Sequence, residues 1–233
     1  MNKVLDSILL GDNACEEFYK WFEKEEFRKW ILNILPEIEK CEETKQDNPW
    51  HIYNCLDHIL KSVENINKQT KGLPLEERRM LAYVMFLHDI GKPECYIRRY
   101  SKLYGREVDS FFAHNKASKR IAERVLPSLG FDYETREKME LLIQEHDVFM
   151  FITLEPTKNQ HHKVLTPELL NEKINEFSGF GNGKKLLGQL IMVGRADSLA
   201  QNPKMTAKSL RLLDRMQLML DEKNKNCSNK IIE

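Results

Sequence analysis

Apolar residues recur at intervals of three and four along most of this chain, which is the spacing of one face of an α-helix. Glycine and proline number only 10 and 8 among 233 residues, so few positions interrupt that spacing. No segment alternates apolar and polar residues convincingly, no repeat is found, and no change of composition marks a linker. The pattern therefore predicts an all-α protein, a helical bundle in one structural domain.

The predicted helices end at residues that typically stop a helix. Pro36 disturbs the end of the first helix, Gly130 ends the fourth, and Thr166-Pro167-Glu168 is a typical helix start. The segment 152–165 is predicted to be a loop, and GFGNGKK at 179–185 a helix start. We expect helices over 13–35, 50–68, 75–89, 114–129, 133–146, from 167 onward, over 184–200 and over 205–222.

Charge and cysteine content narrow the classes of protein. Lys+Arg and Asp+Glu both count 36, so bulk charge alone would not hold the chain on nucleic acid. There is no apolar stretch of membrane-spanning length and no signal-peptide pattern, so we expect a cytoplasmic protein with no membrane partner. The cysteines lack CxxC spacing and are expected to be reduced thiols, at positions 15, 41, 55, 95 and 227.

Side chains that bind metals fall on the apolar faces of the predicted helices. Leu81, Val84, Met85 and His88 stand at i, i+3, i+4 and i+7, so the imidazole shares the buried stripe, with Asp89 beside it. A buried carboxylate is very costly without a cation, so it needs a basic side chain or a metal ion.

The same placement recurs on four other predicted helices. Each of these residues taken alone has a simpler explanation than a metal site. A single buried histidine usually hydrogen-bonds a backbone carbonyl, and Asp197 could pair with Arg195. Five such helices together favour a metal site, because neutral imidazoles and carboxylates bind Mn, Fe, Co, Ni and Zn. The additional inward-facing residues are His58, His114, His146 and Asp197.

These candidates suffice for one or two divalent ions. The first ion is expected on His58, His88, Asp89 and Asp197. The second ion is expected on His114 and His146, with Asp89 as a bridge between the two ions. Two ions roughly 3.5–4 Å apart would clamp a phosphate and activate a water molecule. The identity of the metal stays open among Mn, Fe, Ni, Co, Mg and Zn.

Lys92 lies just past the predicted helix end and could meet phosphate oxygens, so we assign it with Asp89 to the catalytic site. An ordinary solvated lysine is the alternative. His51 precedes His58 by seven residues, so a common helix would separate the two by roughly 10 Å. It would then line the mouth of the site or be structural.

Two further groups of residues are candidates for substrate contacts. Arg98 and Arg99 lie in a segment with several tyrosines, residues 93–112. That segment is either a substrate lid, with arginines for phosphate and tyrosines to stack a base, or a solvated connection. Lys116 and Ser118 follow the third histidine and could reach the site, although a surface position is the simpler expectation for the lysine. His161-His162 are expected on the surface.

The ligand candidates occur in the order H…HD…H…H…D, which resembles the HD-domain superfamily of metal-dependent phosphohydrolases over about residues 30–203. HDIGK at 88–92 is the familiar centre of that motif. ILPEIE, HIYNCLDHIL, FLHDIGKP, FFAHNKASKRIAERVL and RADSLAQNP are most similar to the HD portion of bacterial tRNA nucleotidyltransferases (CCA-adding enzymes). The nucleotidyltransferase motif of those enzymes is absent here, so CCA addition is not implied. The family glycine before the third histidine is Ala113 in this chain.

The resemblance implies an HD metal-binding core at 46–203, an N-terminal helical segment at 1–45 packed on it, and a C-terminal helix with a frayed tail at 204–233. It also implies a phosphomonoesterase or phosphodiesterase acting on a nucleotide or other small phosphate ester. The alternative is an RNA- or nucleotide-binding module with a vestigial site, for which RNA is the partner. Oxygen chemistry at a di-iron site is a third option, and the oligomeric state stays open.

Overall fold

Helices dominate the computed structural model, which describes the backbone of residues 1–229 and the side chains of residues 1–222. The all-α class predicted from the hydrophobic pattern is confirmed. The described helices are α1 (Asn2–Leu9), α2 (Ala14–Phe22), α3 (Glu25–Ile34), α4 (Glu37–Glu43), α5 (Cys55–Thr70), α6 (Leu75–Leu87), α7 (His114–Val125), α8 (Tyr133–Glu145), α9 (Pro167–Phe177), α10 (Gly183–Ala200) and α11 (Pro203–Asn229).

The single helix predicted over 13–35 is wrong. Lys24 has an extended backbone (φ −82°, ψ 119°), so the chain turns between α2 and α3. The turn folds the aromatic faces of these two helices together, with ring centroids of Phe18 and Phe27 6.0 Å apart. Because the apolar spacing continues across the turn, the periodicity alone did not mark it. Helices α1 and α4 were not predicted either.

Helix α6 lies at the centre of the fold. Residues 80–87 are all buried, so the C-terminal part of this helix is covered on every side, and its neighbours include α5, α8 and α10. Buried residues of α1–α4 belong to the same hydrophobic core. The ends of the central helices therefore meet inside the protein, where a polar side chain is shielded from solvent.

Helix α5 begins later than predicted. The Asn54 side chain accepts a hydrogen bond from the Asp57 N–H at 2.7 Å and caps the helix, so residues 50–54 are outside it. Asparagine is among the best residues at this position. The helix starts predicted for α9 and α10 agree better, since Thr166 accepts from Leu169 N–H and Asn182 from Lys185 N–H at these starts.

Two small strand pairs interrupt the helices where the sequence predicted none. β1 (Ile97–Ser101) and β2 (Arg106–Ser110) form an antiparallel hairpin, whose connection contains Gly105 at φ 64°. Residues 97–100 are exposed on both faces of the hairpin, so the sequence has no alternation of apolar and polar residues from which this strand could be predicted. The other pair, β3 (Ile152–Thr153) with β4 (Lys163–Val164), is parallel and lies in the predicted loop.

The hairpin is fixed to the loop before α5. Asp109 accepts from the Asp47 N–H at 2.7 Å, and the Asp47 carbonyl accepts from the Asp109 N–H at 2.9 Å. Arg98 donates to both carboxylates, at 2.9 Å to Asp47 and 2.7 Å to Asp109. These bonds hold residues 46–51 in place beside the helix ends.

The last helix begins at Pro203, two residues earlier than predicted. The fraying expected of the tail concerns residues that lie outside the described side chains. Within the described residues, no helix combines the length and the apolar content needed to cross a bilayer.

Gly91 follows the histidine–aspartate pair and lies directly against α7. An added Cβ would be 2.5 Å from the Ser118 nitrogen and 2.7 Å from the Ala117 Cβ. We expect Gly91→Ala to destabilise the protein by about 3 kcal/mol, because backbone must move to relieve the overlap. Urea unfolding measures this cost. Gly72→Ala is the control, since a Cβ there meets nothing within 4 Å; equal costs for the two variants would contradict the packing argument.

Ala113 precedes α7 with φ 64°, in the left-handed region that favours glycine. We expect Ala113→Gly to stabilise the protein by about 0.5 to 1 kcal/mol, because relief of the steric cost exceeds the added freedom of the unfolded chain. The exposed helical Ala207 gives the matched control, where glycine should cost about 1 kcal/mol. Unfolding midpoints that shift in the same direction for both variants would contradict this assignment.

Candidate metal centre

Five chain segments bring the predicted ligands to one place inside the bundle. His58 lies in the first turn of α5 and Asp197 near the end of α10. The pair His88-Asp89 follows the end of α6. The remaining two are His114, the first residue of α7, and His146, directly after α8.

One group of these side chains forms a buried tetrad. His58 Nε2 lies 3.1 Å from Asp89 Oδ2 and 3.0 Å from Asp197 Oδ1. His88 Nε2 lies 3.4 Å from Asp89 Oδ2 and 3.7 Å from Asp197 Oδ1. The candidate ligand atoms of all four residues lie within 4.8 Å of one another, which is compact enough for a single ion.

The other oxygen of Asp89 belongs to a second group. Asp89 Oδ1 is 3.0 Å from His114 Nε2 and 3.6 Å from His146 Nε2, and the two imidazole nitrogens are 3.2 Å apart. Asp89 therefore presents one oxygen to each group, as the bridging arrangement requires.

Each of the four imidazoles is oriented by a backbone carbonyl. The Nδ1 atoms of His88, His114 and His146 lie 2.6, 2.8 and 2.7 Å from the carbonyl oxygens three residues earlier in the chain. His58 Nδ1 lies 3.3 Å from the Ala200 carbonyl. A carbonyl only accepts, so Nδ1 carries the proton and Nε2 is turned toward the carboxylates. Such an outer hydrogen bond is what fixes a metal-binding histidine.

Unsatisfied atoms test whether a metal ion fits this centre. His58 Nε2, His88 Nε2 and Asp89 Oδ1 are buried and have no hydrogen-bond partner of good geometry, despite their short contacts. Buried polar atoms are rarely left so. A divalent cation in the first group would satisfy the two nitrogens and one in the second group would satisfy Asp89 Oδ1, and the imidazoles and carboxylates are chemically suited to such ions. The residues therefore fit a metal ion.

The carboxylates also determine the charge of the imidazoles. Burial favours the neutral form of His58 and His88, but Asp197 and Asp89 outweigh it and raise the pKa of each histidine to about 9. Burial likewise opposes ionisation of Asp89, yet Lys92 and His88 hold its pKa well below the ordinary value. Without metal, protons on the imidazoles therefore balance the carboxylates.

Lys92 is buried beside the tetrad rather than solvated. Its Nζ lies 2.5 Å from Asp89 Oδ2, 2.7 Å from Gln46 Oε1 and 3.1 Å from His51 Nε2. Burial opposes its charge, but Asp89 raises its pKa above the ordinary lysine value, so the ammonium group persists. Its catalytic role stays a prediction.

His51 occupies a different position from the one that the sequence suggested. It is outside α5, so the separation of roughly 10 Å expected on a common helix is wrong, and its ring centroid is 5.2 Å from that of His58. Its Nδ1 contacts Asn48 Oδ1 at 2.8 Å. Burial first, and then the charge of Lys92, lower its pKa well below the ordinary value, so a neutral His51 accepts a hydrogen bond from Lys92.

The other substrate-binding candidates are placed as follows. Arg98 is paired with Asp47 and Asp109, as described above, while Arg99 and Lys116 are exposed. Ser118 is buried, and its hydroxyl accepts the Gly91 N–H at 3.0 Å, which supports the turn after Asp89. Substrate contacts by these residues stay predictions.

Three residues of the centre escaped the sequence argument. Asp147 contacts the second group, Gln201 donates to Asp197 at 3.1 Å, and Gln46 holds Lys92. Gln46 has φ 56°, a strained backbone conformation. Of these three residues, only Asp147 could have been recognised from the sequence, because it directly follows His146 as Asp89 follows His88. Arg195, considered above as a partner for Asp197, pairs with Asp214 instead. His161 and His162 are outside both groups of candidate ligands.

Two thiols support the turn at the centre. Cys55 Sγ contacts the Asp89 carbonyl at 3.6 Å and Cys41 Sγ the Ile90 carbonyl at 3.7 Å. The cysteines with described side chains, at positions 15, 41, 55 and 95, are free. Cys227 lies outside the described side chains.

Comparison with curated proteins finds a distant likeness to part of the chain. No family model matches the chain. It is 30% identical over 126 residues to a bifunctional uridylyltransferase/uridylyl-removing enzyme of Ruegeria pomeroyi. That alignment covers 48% of this chain and 12% of the relative, so the chain matches only a small part of that protein.

We expect the metal-free protein to lose stability as the pH rises from about 6.5 toward 9. His58 and His88 have a pKa of about 6.5 when unfolded and about 9 when folded. Their protonation therefore stabilises the fold fully below pH 6.5, and this contribution disappears as the pH passes 9. Bound Mn²⁺ replaces those protons, so the loaded protein should keep its Tm.

Thermal unfolding at pH 6 to 9, in EDTA and in Mn²⁺, measures this difference. The gap in Tm between the two conditions should widen with pH. Parallel profiles would contradict the proposed exchange of protons for metal. His161→Ala, which alters an exposed imidazole, should leave both profiles unchanged.

Proposed function

We propose that this protein is a metal-dependent phosphohydrolase of the HD superfamily, acting on a nucleotide or another small phosphate ester. The observation that carries the proposal is the convergence of four imidazole Nε2 atoms on a bridging carboxylate, with each Nδ1 held by a backbone carbonyl. A binding module has no need of so many polar groups in its interior, where each is costly unless satisfied.

The likeness to the uridylyl-removing enzyme supports the same class of chemistry. A uridylyl group is a uridine nucleotide attached through its phosphate, so its removal breaks a bond at phosphorus. The alignment covers only part of both chains, and uridylyl removal itself is not proposed for this protein. We infer a nucleotide or similar phosphate ester as the substrate class.

One divalent ion would be held by the tetrad of His58, His88, Asp89 and Asp197. A second ion would be held by Asp89, His114 and His146. Ions held there would supply Lewis acidity, which lowers the pKa of bound water and neutralises phosphoryl oxygens. Asp89 orients both groups because each of its oxygens faces one of them. The surrounding helices exclude bulk water and so strengthen these electrostatic interactions.

Lys92 supplies a fixed positive charge beside this centre. Gln46 and neutral His51 accept its hydrogen bonds, so the ammonium group is held in position without a second anion. We propose that it meets a phosphate oxygen and offsets the charge that develops during hydrolysis.

We expect His88→Ala and Asp89→Ala each to reduce hydrolysis at least about 100-fold in Mn²⁺, Co²⁺, Ni²⁺ or Mg²⁺, because both remove a ligand. A screen of chromogenic phosphomonoesters and phosphodiesters, nucleotides and cyclic nucleotides identifies the substrate first. Circular dichroism should show that both variants are folded. His161→Ala is the control with an exposed imidazole, and it should retain wild-type rates.

The outcome also separates the alternatives. Hydrolysis at wild-type rates in both ligand variants would remove the proposed site. Metal-free protein that binds tRNA and hydrolyses none of the substrates would favour an RNA-binding module. Tightly bound iron with a visible absorption band in air would favour oxygen chemistry.

A further inference from the structure

Asp147 brings an additional carboxylate to the second group of ligands. Its Oδ2 lies 3.2 Å from His114 Nε2, across 33 positions of sequence, and its Oδ1 lies 3.4 Å from His146 Nε2. In the part of the chain with described side chains, these imidazoles are the only groups found in ion-pair contact with it. The carboxylate therefore faces the same space as the nitrogens of the second group.

The charges of the two groups differ unless Asp147 is included. The first group has two imidazoles, its own carboxylate from Asp197, and a share of Asp89. The second has two imidazoles and only the share of Asp89. Asp147 gives the second group a carboxylate of its own, so each ion would be held by two neutral nitrogens, one private carboxylate and the bridge.

The backbone that carries Asp147 is anchored to the fold. Asp147 begins the short 3-10 helix Val148–Phe151, and its carbonyl accepts the Met150 N–H at 3.0 Å. Phe149 is buried and packs so closely on α10 that a Cβ at Gly194 would be 2.6 Å from its ring. The position of the carboxylate is thus set by core packing, not by a free loop.

Accessibility distinguishes Asp147 from the other two carboxylates of the centre. Its side chain is 24% exposed, against 13% for Asp197 and 2% for Asp89. His114 and Asp197 are partly exposed, whereas His58, His88 and His146 are buried. Asp147 is consequently the carboxylate of the centre that solvent reaches most easily.

We propose, resting on the metal centre of the proposed function, that Asp147 is a ligand of the second ion and sets whether the protein holds one ion or two. The ion on this side is the more exchangeable of the two. Loss of the carboxylate leaves the buried tetrad able to hold its own ion and gives a one-ion protein.

The metal content of the purified protein tests this proposal. Wild type saturated with Mn²⁺ and passed through a desalting column should hold two ions per chain, and Asp147→Asn should hold one. Titration calorimetry should show the weaker Mn²⁺ site of Asp147→Asn weakened at least about tenfold, within the range for loss of a coordinating group's support. Electron paramagnetic resonance should change from a coupled manganese pair to an isolated ion.

Matched variants keep the interpretation unambiguous. Asp12→Asn removes an exposed carboxylate on the far-removed loop before α2 and should retain two ions. Asp147→Glu restores the charge and should recover part of the second-site affinity. Circular dichroism and Tm in EDTA confirm that Asp147→Asn is folded.

The possible failures are distinguishable. Two ions of unchanged affinity in Asp147→Asn, or a wild type that holds a single ion, would overturn the role of Asp147 and leave the tetrad intact. A wild type that binds no divalent ion would overturn the proposed function itself.

Discussion

The buried carboxylate of Asp89 is the constraint on which the rest of the centre depends. It is almost inaccessible to solvent and remains ionised, although removing a lone anion from water costs several kcal/mol. Imidazoles from the ends of four helices and one ammonium group converge on its two oxygens. The packing of α5, α6, α7 and α8 therefore has to satisfy an electrostatic requirement as well as bury apolar surface.

Much of this arrangement is predictable from sequence because it depends on helical periodicity. His88 shares a stripe with Leu81, Val84 and Met85, and Met139, Leu142 and Ile143 precede His146 in the same register. Once such residues are on inward faces of neighbouring helices, a hydrophobic core brings them together. The all-α class and the inward placement of these side chains follow from this local pattern.

What periodicity missed has physical causes of three kinds. The turn at Lys24 lies inside a continuous apolar pattern, so only tertiary packing of Phe18 against Phe27 determines it. The hairpin at 97–110 is stabilised by the contacts of Arg98 with Asp109 and with Asp47, and Asp47 lies 51 positions away in sequence. His51 was placed on a helix that Asn54 in fact begins, and its proximity to Lys92 arises from the loop that results.

The hydrogen bonds between the imidazoles and the backbone carbonyls have a consequence for the evolution of the sequence. For His88, His114 and His146 the orienting carbonyl lies three residues earlier in the same segment. The orientation of these imidazoles is thus determined locally, by backbone carbonyls that are present whatever the side chain of that residue. No residue elsewhere in the sequence has to change together with the histidine. The exposed hairpin can therefore diverge in sequence while the imidazoles keep their orientation toward the buried carboxylates.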